Sequence, residues 1–186
     1  MQRYPLRAAA ARALKAHLRA GGIIAYATES CYGLGCDARN RRAVDRLCRL
    51  KGRPRSKGLI LIADRFERLE PYLLPVPQAE QERLFAPWPG PHTWLLPARR
   101  RRWLTGRHAT LAVRVTAHPG AAALCRQLGM ALVSTSANKS GGVPAKSARQ
   151  VGAVFGHNIR VVAGRIGGRK RPSVVVDFAS GKIYRA

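Results

Sequence analysis

Short apolar runs alternate with amphipathic helical patterns along this chain, and this alternation limits the folds open to it. The apolar runs, each typical of a buried strand, cover residues 23–26, 59–62, 93–96, 111–115, 131–133, 159–162, 174–178 and 182–184. Helical patterns cover residues 1–20, 41–50, 78–85, 120–128 and 147–155. We therefore predict one α/β domain over residues 1–186, with a twisted, mixed parallel and antiparallel sheet flanked by helices.

Capping residues predict where two helices begin. Asn40 is expected to cap the helix at residues 41–50, because its side chain can accept hydrogen bonds from the first turn. Asp64, followed three residues later by Glu67, resembles a capping box and predicts a short helix there.

The first 20 residues are Arg-rich and free of acids, as a transit peptide would be. Their apolar residues recur at helical spacing, and Gly21 and Gly22 end the pattern directly before a strand, so we interpret them as the first helix of the domain. No apolar run approaches the roughly 20 residues of a membrane span. We expect a cytoplasmic protein that does not bind membranes.

The charge of the chain predicts an anionic partner. There are 34 Lys and Arg against 9 Asp and Glu, for a net charge of +25. A nucleotide would use only a few of these charges, so RNA is a further candidate partner. Residues 99–103, with the sequence RRRRW, combine cations with an aromatic ring that can stack on a base. A solvated surface turn explains the same residues equally well.

The cysteines and histidines do not form a recognisable metal motif. Neither CxxC pairs nor histidines at zinc spacing occur, which favours reduced thiols and no metal site of the protein's own. The cysteines are Cys31, Cys36, Cys48 and Cys125. The histidines expected to be exposed beside turns are His92, His108, His118 and His157.

Two segments place small or polar residues directly after strands. Residues 26–35, YATESCYGLG, indicate a strand followed by a glycine-containing turn whose backbone N–H groups can face an anion. Residues 133–142, VSTSANKSGG, carry a dense set of hydroxyl and amide groups after a buried strand. That is where α/β proteins place ligands.

A third segment, KGRPRSKG at residues 51–58, carries four cations at the end of a helix. Cations at a helix C-terminus interact favourably with its dipole, and this explains Lys51. Arg53 and Lys57 lie beyond the last turn, so they favour phosphate binding.

These segments, taken in order, resemble the YrdC-like threonylcarbamoyl-AMP synthase family. The resemblance rests on KxR at residues 51–53, SxN at residues 136–138 and Y-x-T-E-x-x-Y-G at residues 26–33. Supporting matches lie at residues 57–60, 88–93, 111–115 and 172–177. The matches cover essentially the whole chain, which ends soon after them and so resembles the short, single-domain form of the family.

The resemblance implies a nucleotidyltransferase that forms L-threonylcarbamoyladenylate and pyrophosphate from L-threonine, bicarbonate and ATP. The product would serve the threonylcarbamoyl modification of adenosine 37 in tRNA. Mg²⁺ would arrive bound to the phosphates, as Mg-ATP. Expected partners are tRNA and the proteins of the threonylcarbamoyl-transfer machinery. The alternative is an RNA-binding module on the same fold, for tRNA or ribosomal precursor RNA, with weak or no catalysis.

The family pattern also implies three groups of site residues around a cationic cavity. The catalytic group is Lys51, Arg53, Ser136 and Asn138. The ATP-binding group is Arg53, Lys57, Thr110, Ser136, Pro144 and Arg185. The threonine-binding group is Ser30, Arg114, Ser134 and Ser173. Ser30 departs from the family's usual threonine and keeps the hydroxyl without the methyl group, which predicts looser threonine binding.

Overall fold

Nine strands and six α-helices form within residues 6–186, the part of the chain that this computed structural model describes. The strands are β1 (Ile24–Ala27), β2 (Tyr32–Gly35), β3 (Ile60–Ala63), β4 (His92–Pro97), β5 (Thr110–Val115), β6 (Leu132–Ser136), β7 (Arg160–Val161), β8 (Val174–Asp177) and β9 (Ile183–Arg185). The helices are α1 (Ala8–Arg19), α2 (Arg41–Lys51), α3 (Gln81–Phe85), α4 (Arg102–Thr105), α5 (Pro119–Leu128) and α6 (Ala148–Phe155).

The strands form one mixed sheet in the order β7-β1-β2-β6-β3-β5-β4-β8-β9. The pairs β1/β7, β3/β5 and β4/β8 are parallel, and the other neighbours are antiparallel. Successive side chains of a strand point to opposite faces, so β1 contributes to two cores. Ile24 and Tyr26 pack with residues of α1 and α5, whereas Ala25 packs with residues of α2. The predicted α/β class with a mixed sheet is confirmed.

The sequence analysis missed β2, which it interpreted as a turn. β2 contains two glycines, which are typical of turns in a sequence. In the fold, they allow the strand to pack closely against its neighbours. A Cβ atom on Gly35 would lie 2.6 Å from the carbonyl oxygen of Val133, and one on Gly33 would lie 3.2 Å from Thr28 Cγ2. The backbone of β6 therefore leaves no room for a side chain at Gly35, and β2 fits between β1 and β6 because glycine stands there.

The predicted caps had different outcomes. Asn40 caps α2 as expected, since its Oδ1 accepts a hydrogen bond from Ala43 N at 3.0 Å. The capping box at Asp64 is wrong, because the Asp64 carboxylate is 2.6 Å from Arg68 Nε and 3.8 Å from Arg126 Nε. Two arginines therefore bind the group that the capping interpretation assigned to backbone N–H groups.

Two further expectations concern the N-terminal segment and the histidines. The helix predicted at residues 1–20 is present as α1. Residues 1–5 of that prediction lie outside the described residues. His118 is buried, which contradicts its expected exposure. Its Nδ1 accepts from Ala121 N at 3.1 Å and caps α5, a role that its position just before Pro119 allows. In the described part of the chain, no helix has the length and apolar character to cross a membrane.

Candidate functional site

A cavity of about 180 Å³, here called the inner cavity, lies where β2, β6 and the segment before β8 converge. All the residues of the predicted threonine-binding group line it, namely Ser30, Arg114, Ser134 and Ser173. Arg53, Ser136 and Arg185 line it as well. The cavity is smaller than the about 300–1,000 Å³ of pockets for drug-sized ligands, so it suits a small polar molecule.

Strand register brings the serines of β6 to this cavity. Ser134 pairs with Ile60 of β3, and Ser136 pairs with Gly33 of β2. Residues two apart on a strand share a face, so both hydroxyls point into the same space. Gly33 lines that space too, and its lack of a side chain leaves room for a ligand.

Arg114 supplies a buried cation whose hydrogen-bonding capacity is partly unused. Its side chain is 9% exposed, and its Nη2 donates to Glu29 Oε2 at 3.2 Å. Glu29 is held in turn by Thr116, whose Oγ1 donates to Oε1 at 2.6 Å. Arg114 Nε is buried and has no hydrogen-bond partner among residues 6–186. A buried guanidinium group with an unpaired N–H donor suits a carboxylate ligand.

The inner cavity is electrostatically prepared for an anion. Arg53, Arg114 and Arg185 line it, and Glu29 is the one carboxylate among its described lining residues. Burial lowers the pKa of Arg185, and the nearby charge of Arg114 lowers it further. Burial also lowers the pKa of Arg53. Guanidinium groups stay charged at neutral pH, so this crowding favours a negatively charged ligand.

Lys51 and Asn138, expected to be catalytic, do not face the cavity. They hold the end of β6 and the loop that follows it, up to residue 142. Lys51 is 3% exposed, and its Nζ donates to the carbonyl oxygens of Ser136 at 2.5 Å and Asn138 at 2.7 Å. The Asn138 amide donates to the carbonyl oxygens of Lys139 and Gly142. Neither side chain lines the described cavities. The four predicted catalytic residues therefore divide into Arg53 and Ser136 at the cavity and two residues that brace it.

Replacing Lys51 should destabilise this loop. Lys51→Met keeps the apolar stem but removes the donor to two carbonyl oxygens, which costs about 1–3 kcal/mol. At about 2–4 °C per kcal/mol for a chain of this length, the thermal midpoint should fall by several degrees in a melting experiment. Lys57→Met, at an exposed lysine, is the matched control and should leave the midpoint unchanged.

The stability of wild type and of Lys51→Met can also be compared as a function of pH. Burial, reinforced by the charge of Arg53, lowers the pKa of Lys51 from 10.5 to about 8. Between these values the unfolded chain binds more protons than the folded protein, so the contribution of Lys51 to stability rises with pH. The gap in thermal midpoint between wild type and Lys51→Met should widen from about pH 8 to about pH 10. A gap that stays constant would contradict the lowered pKa of Lys51.

A second cavity of about 280 Å³, here called the outer cavity, adjoins the first and shares Arg53, Leu59 and Ile60 with it. Lys57 and Thr110, both predicted to contact ATP, line the outer cavity. Arg53 also braces the wall between the two, since its Nη2 donates to the Gly58 carbonyl at 2.8 Å. Pro144 is exposed and lines neither cavity. Adjoining cavities of this kind suit substrates that react with each other.

An open groove of about 1220 Å³, here called the basic groove, continues from the outer cavity through the shared Thr105 and His108. Its cationic residues are Arg41, Arg55, Arg100, Arg102 and Arg107. Asp45 lies 3.0 Å from Arg55 and 3.9 Å from Arg41, so it offsets part of this charge. Arg100, Arg102 and Arg107 form no ion pair within the described residues.

The four consecutive arginines at residues 99–102 have different surroundings in the structure. Arg100 and Arg102 line the basic groove, while Arg99 lines a separate cavity. Arg101 lies over the rings of Tyr72 at 5.2 Å and Trp103 at 5.8 Å. Trp103 is partly buried and donates from Nε1 to the Ala38 carbonyl. α4 begins at Arg102 within this segment, and two of the segment's four arginines face the groove.

A family sequence profile and a solved structure identify the class of protein. The sequence profile of the Sua5/YciO/YrdC family, described as "Telomere recombination", matches residues 16–186. The fold has a TM-score of 0.81 with E. coli YciO, which is 25% identical, with 97% of this chain and 90% of that chain covered. The chain therefore belongs to the Sua5/YciO/YrdC family.

Particular relatives are more similar. The threonylcarbamoyl-AMP synthase of Methylobacillus flagellatus is 57% identical over 94% of this chain and 98% of that protein. The threonylcarbamoyl-AMP synthase of Thiobacillus denitrificans is 60% identical over 93% of each chain. The crystal structure of P. abyssi Sua5 complexed with L-threonine is 32% identical, with a TM-score of 0.84. That match covers 92% of this chain, which spans about half (52%) of the Sua5 chain.

Proposed function

We propose that this protein is a threonylcarbamoyl-AMP synthase, a nucleotidyltransferase that forms L-threonylcarbamoyladenylate and pyrophosphate. One observation carries the proposal: Ser30, Arg114, Ser134 and Ser173, which are distant in sequence, line a single cavity of small-molecule size. Full-length relatives that bear this name at 57% and 60% identity support it. The P. abyssi Sua5 complex supports L-threonine as a ligand, which we propose occupies the inner cavity.

In the proposed mechanism, the inner cavity holds threonine by its charged and hydroxyl groups. Arg114 would bind the carboxylate, and the serine hydroxyls would hydrogen-bond to the carboxylate and to the other polar atoms of threonine. The α-amino group of a polypeptide has a pKa of about 8 and that of a free amino acid is higher, so a minor neutral fraction of threonine is available at neutral pH for attack on bicarbonate or CO2. Attack on CO2 releases a proton to solvent, and attack on bicarbonate releases water. The carbamate formed in either case is already an anion and needs no strong side-chain base for its attack on ATP. This agrees with Glu29 being bound to Arg114 and Thr116 instead of standing free.

The remaining steps require two anions to meet. The carbamate oxygen attacks the α-phosphate of ATP, and pyrophosphate leaves. Arg53, shared by both cavities, and Ser136 are placed to align the carbamate with ATP and to stabilise the developing charge. The nucleotide would occupy the outer cavity, beside Lys57 and Thr110. Mg²⁺ would enter with ATP on its phosphates, because the inner cavity offers no free carboxylate among its described residues.

Pyrophosphate release tests the proposal. Purified protein should release pyrophosphate only when ATP, L-threonine and bicarbonate are all present, because the attacking carbamate exists only after threonine has reacted. L-valine, which matches threonine in shape but lacks the hydroxyl, should not support release. Release of ADP and phosphate would contradict the adenylation mechanism.

RNA binding is a second candidate function, and the basic groove favours it. The groove adjoins the outer cavity and carries three arginines without ion-pair partners among the described residues. Such groups bind phosphates without reading sequence. A tRNA bound there would lie beside the proposed site of synthesis in the cytoplasm. Proteins of the threonylcarbamoyl-transfer machinery are proposed as later partners.

A further inference from the structure

Ser173 is held from two sides at the wall of the inner cavity. Arg185 donates from Nη2 to Ser173 Oγ at 2.9 Å and from Nε to the Ser173 carbonyl oxygen at 2.9 Å. On the other side, Thr93 Oγ1 lies 2.9 Å from the same Ser173 Oγ. Thr93 is fixed by its place on β4, where it pairs with Val175 of β8. The Ser173 hydroxyl therefore lies between a guanidinium group and a second hydroxyl.

Burial decides which of the two hydroxyls donates. Thr93 is 0% exposed, and its hydroxyl has one hydrogen-bond partner within residues 6–186, Ser173 Oγ. If Ser173 donated, the Thr93 proton would be buried without an acceptor, which is unfavourable. Thr93 therefore donates to Ser173. Arg185 can only donate, so Ser173 Oγ accepts two hydrogen bonds, and its own proton is free to point into the cavity.

We infer that Thr93 is a positioning residue that makes Ser173 a hydrogen-bond donor towards the ligand of the inner cavity. This inference rests on the proposed function and deepens it. The ligand group that faces Ser173 must be an acceptor, such as the threonine carboxylate, and an ammonium group is disfavoured there. Thr93 does not line the inner cavity, so it acts through Ser173.

Equilibrium binding of L-threonine, measured by calorimetry, tests this without requiring turnover. Thr93→Val keeps the shape of the side chain but removes the donor that occupies one lone pair of Ser173 Oγ, so the Ser173 hydroxyl is free to rotate away from the ligand. The Kd for L-threonine should rise by up to about tenfold, the effect of losing one hydrogen bond to a charged group. Thr93→Ser should restore the wild-type Kd. In a Ser173→Ala background, Thr93→Val should cause no further change.

Two controls separate positioning from a general effect on the fold. The Kd for ATP should be the same in Thr93→Val and in wild type, and the thermal midpoint of each variant is measured alongside. Thr93→Ala replaces Thr93→Val if the latter does not fold, with the same expected rise in Kd.

The outcomes distinguish this inference from the proposed function. An unchanged threonine Kd in Thr93→Val would overturn the inference alone. An equal weakening in the Ser173→Ala background would also overturn it, because the effect would not act through Ser173. Wild-type protein that binds threonine but releases no pyrophosphate would overturn the proposed function alone. Wild-type protein that binds no threonine would overturn both.

Discussion

Ser136→Ala should lower the rate of pyrophosphate release at least tenfold without changing the thermal midpoint. The Ser136 hydroxyl lines the inner cavity and makes no hydrogen bond to residues 6–186, whereas its backbone oxygen is held by Lys51. The folded protein therefore loses nothing when the hydroxyl is removed. The transition state loses a donor, and removing one such donor typically costs about 10²–10³ in rate, or about 2.7–4 kcal/mol.

Ser140→Ala is the matched control, because Ser140 follows on the same loop but is exposed and lines none of the described cavities. Its rate and thermal midpoint should equal those of wild type. Steady-state pyrophosphate assays and melting curves of both variants make the comparison. If Ser136→Ala melts several degrees lower, its role is structural. If it turns over at the wild-type rate, Ser136 has no part in the reaction.

Replacing Arg100, Arg102 and Arg107 with Ser should flatten the salt dependence of tRNA binding. Each phosphate neutralised contributes about 0.7–0.9 log units of affinity per log unit of salt. If each of these arginines contacts one phosphate, the slope should fall by about 2–3 units. Binding of labelled tRNA, followed by fluorescence anisotropy over a series of salt concentrations, gives this slope. Pyrophosphate release should persist, because none of the three lines the inner or outer cavity.

A charge-matched control tests whether the change in salt dependence is specific to the basic groove. Arg12, Arg19 and Arg149 are exposed and lie outside the groove, so replacing them with Ser removes the same charge elsewhere. An equal loss of slope in both triple variants would show that tRNA responds to net charge alone. An unchanged slope in the groove variant would mean that its arginines are only surface charge. Loss of pyrophosphate release would instead place them over the nucleotide.

Local sequence predicted the position of a helix or strand correctly where the pattern lies in that element's own residues. Apolar runs identified β1 and β3–β9, and Asn40 marked the start of α2, because burial and capping depend mostly on neighbouring residues. Where several elements compete for one group, local sequence failed. Asp64 resembled a cap, but Arg68 and Arg126 bind it in the fold. Residues 32–35 resembled a turn, and the two flanking strands make them β2.

The residue types of the site could be predicted from the sequence, whereas their roles depended on the fold. Polar residues directly after a buried strand marked Ser134 and Ser136, and isolated cations beyond a helix marked Arg53. Nothing local distinguishes Arg53, which faces the cavity, from Lys51, which braces the loop beneath it. That difference is set by the direction of each side chain relative to β6.

The sequence by itself determined the α/β class, most strand positions and the family to which the chain belongs, because apolar periodicity and ordered motifs are properties of the linear chain. Only the tertiary structure decided which polar groups meet. Thr93 and Ser173 are 80 residues apart, and Glu29 and Arg114 are 85 apart, yet each pair is in hydrogen-bond contact. Such contacts follow from strand order and register, which bring distant segments together and fix the proton donors and acceptors that face the cavity.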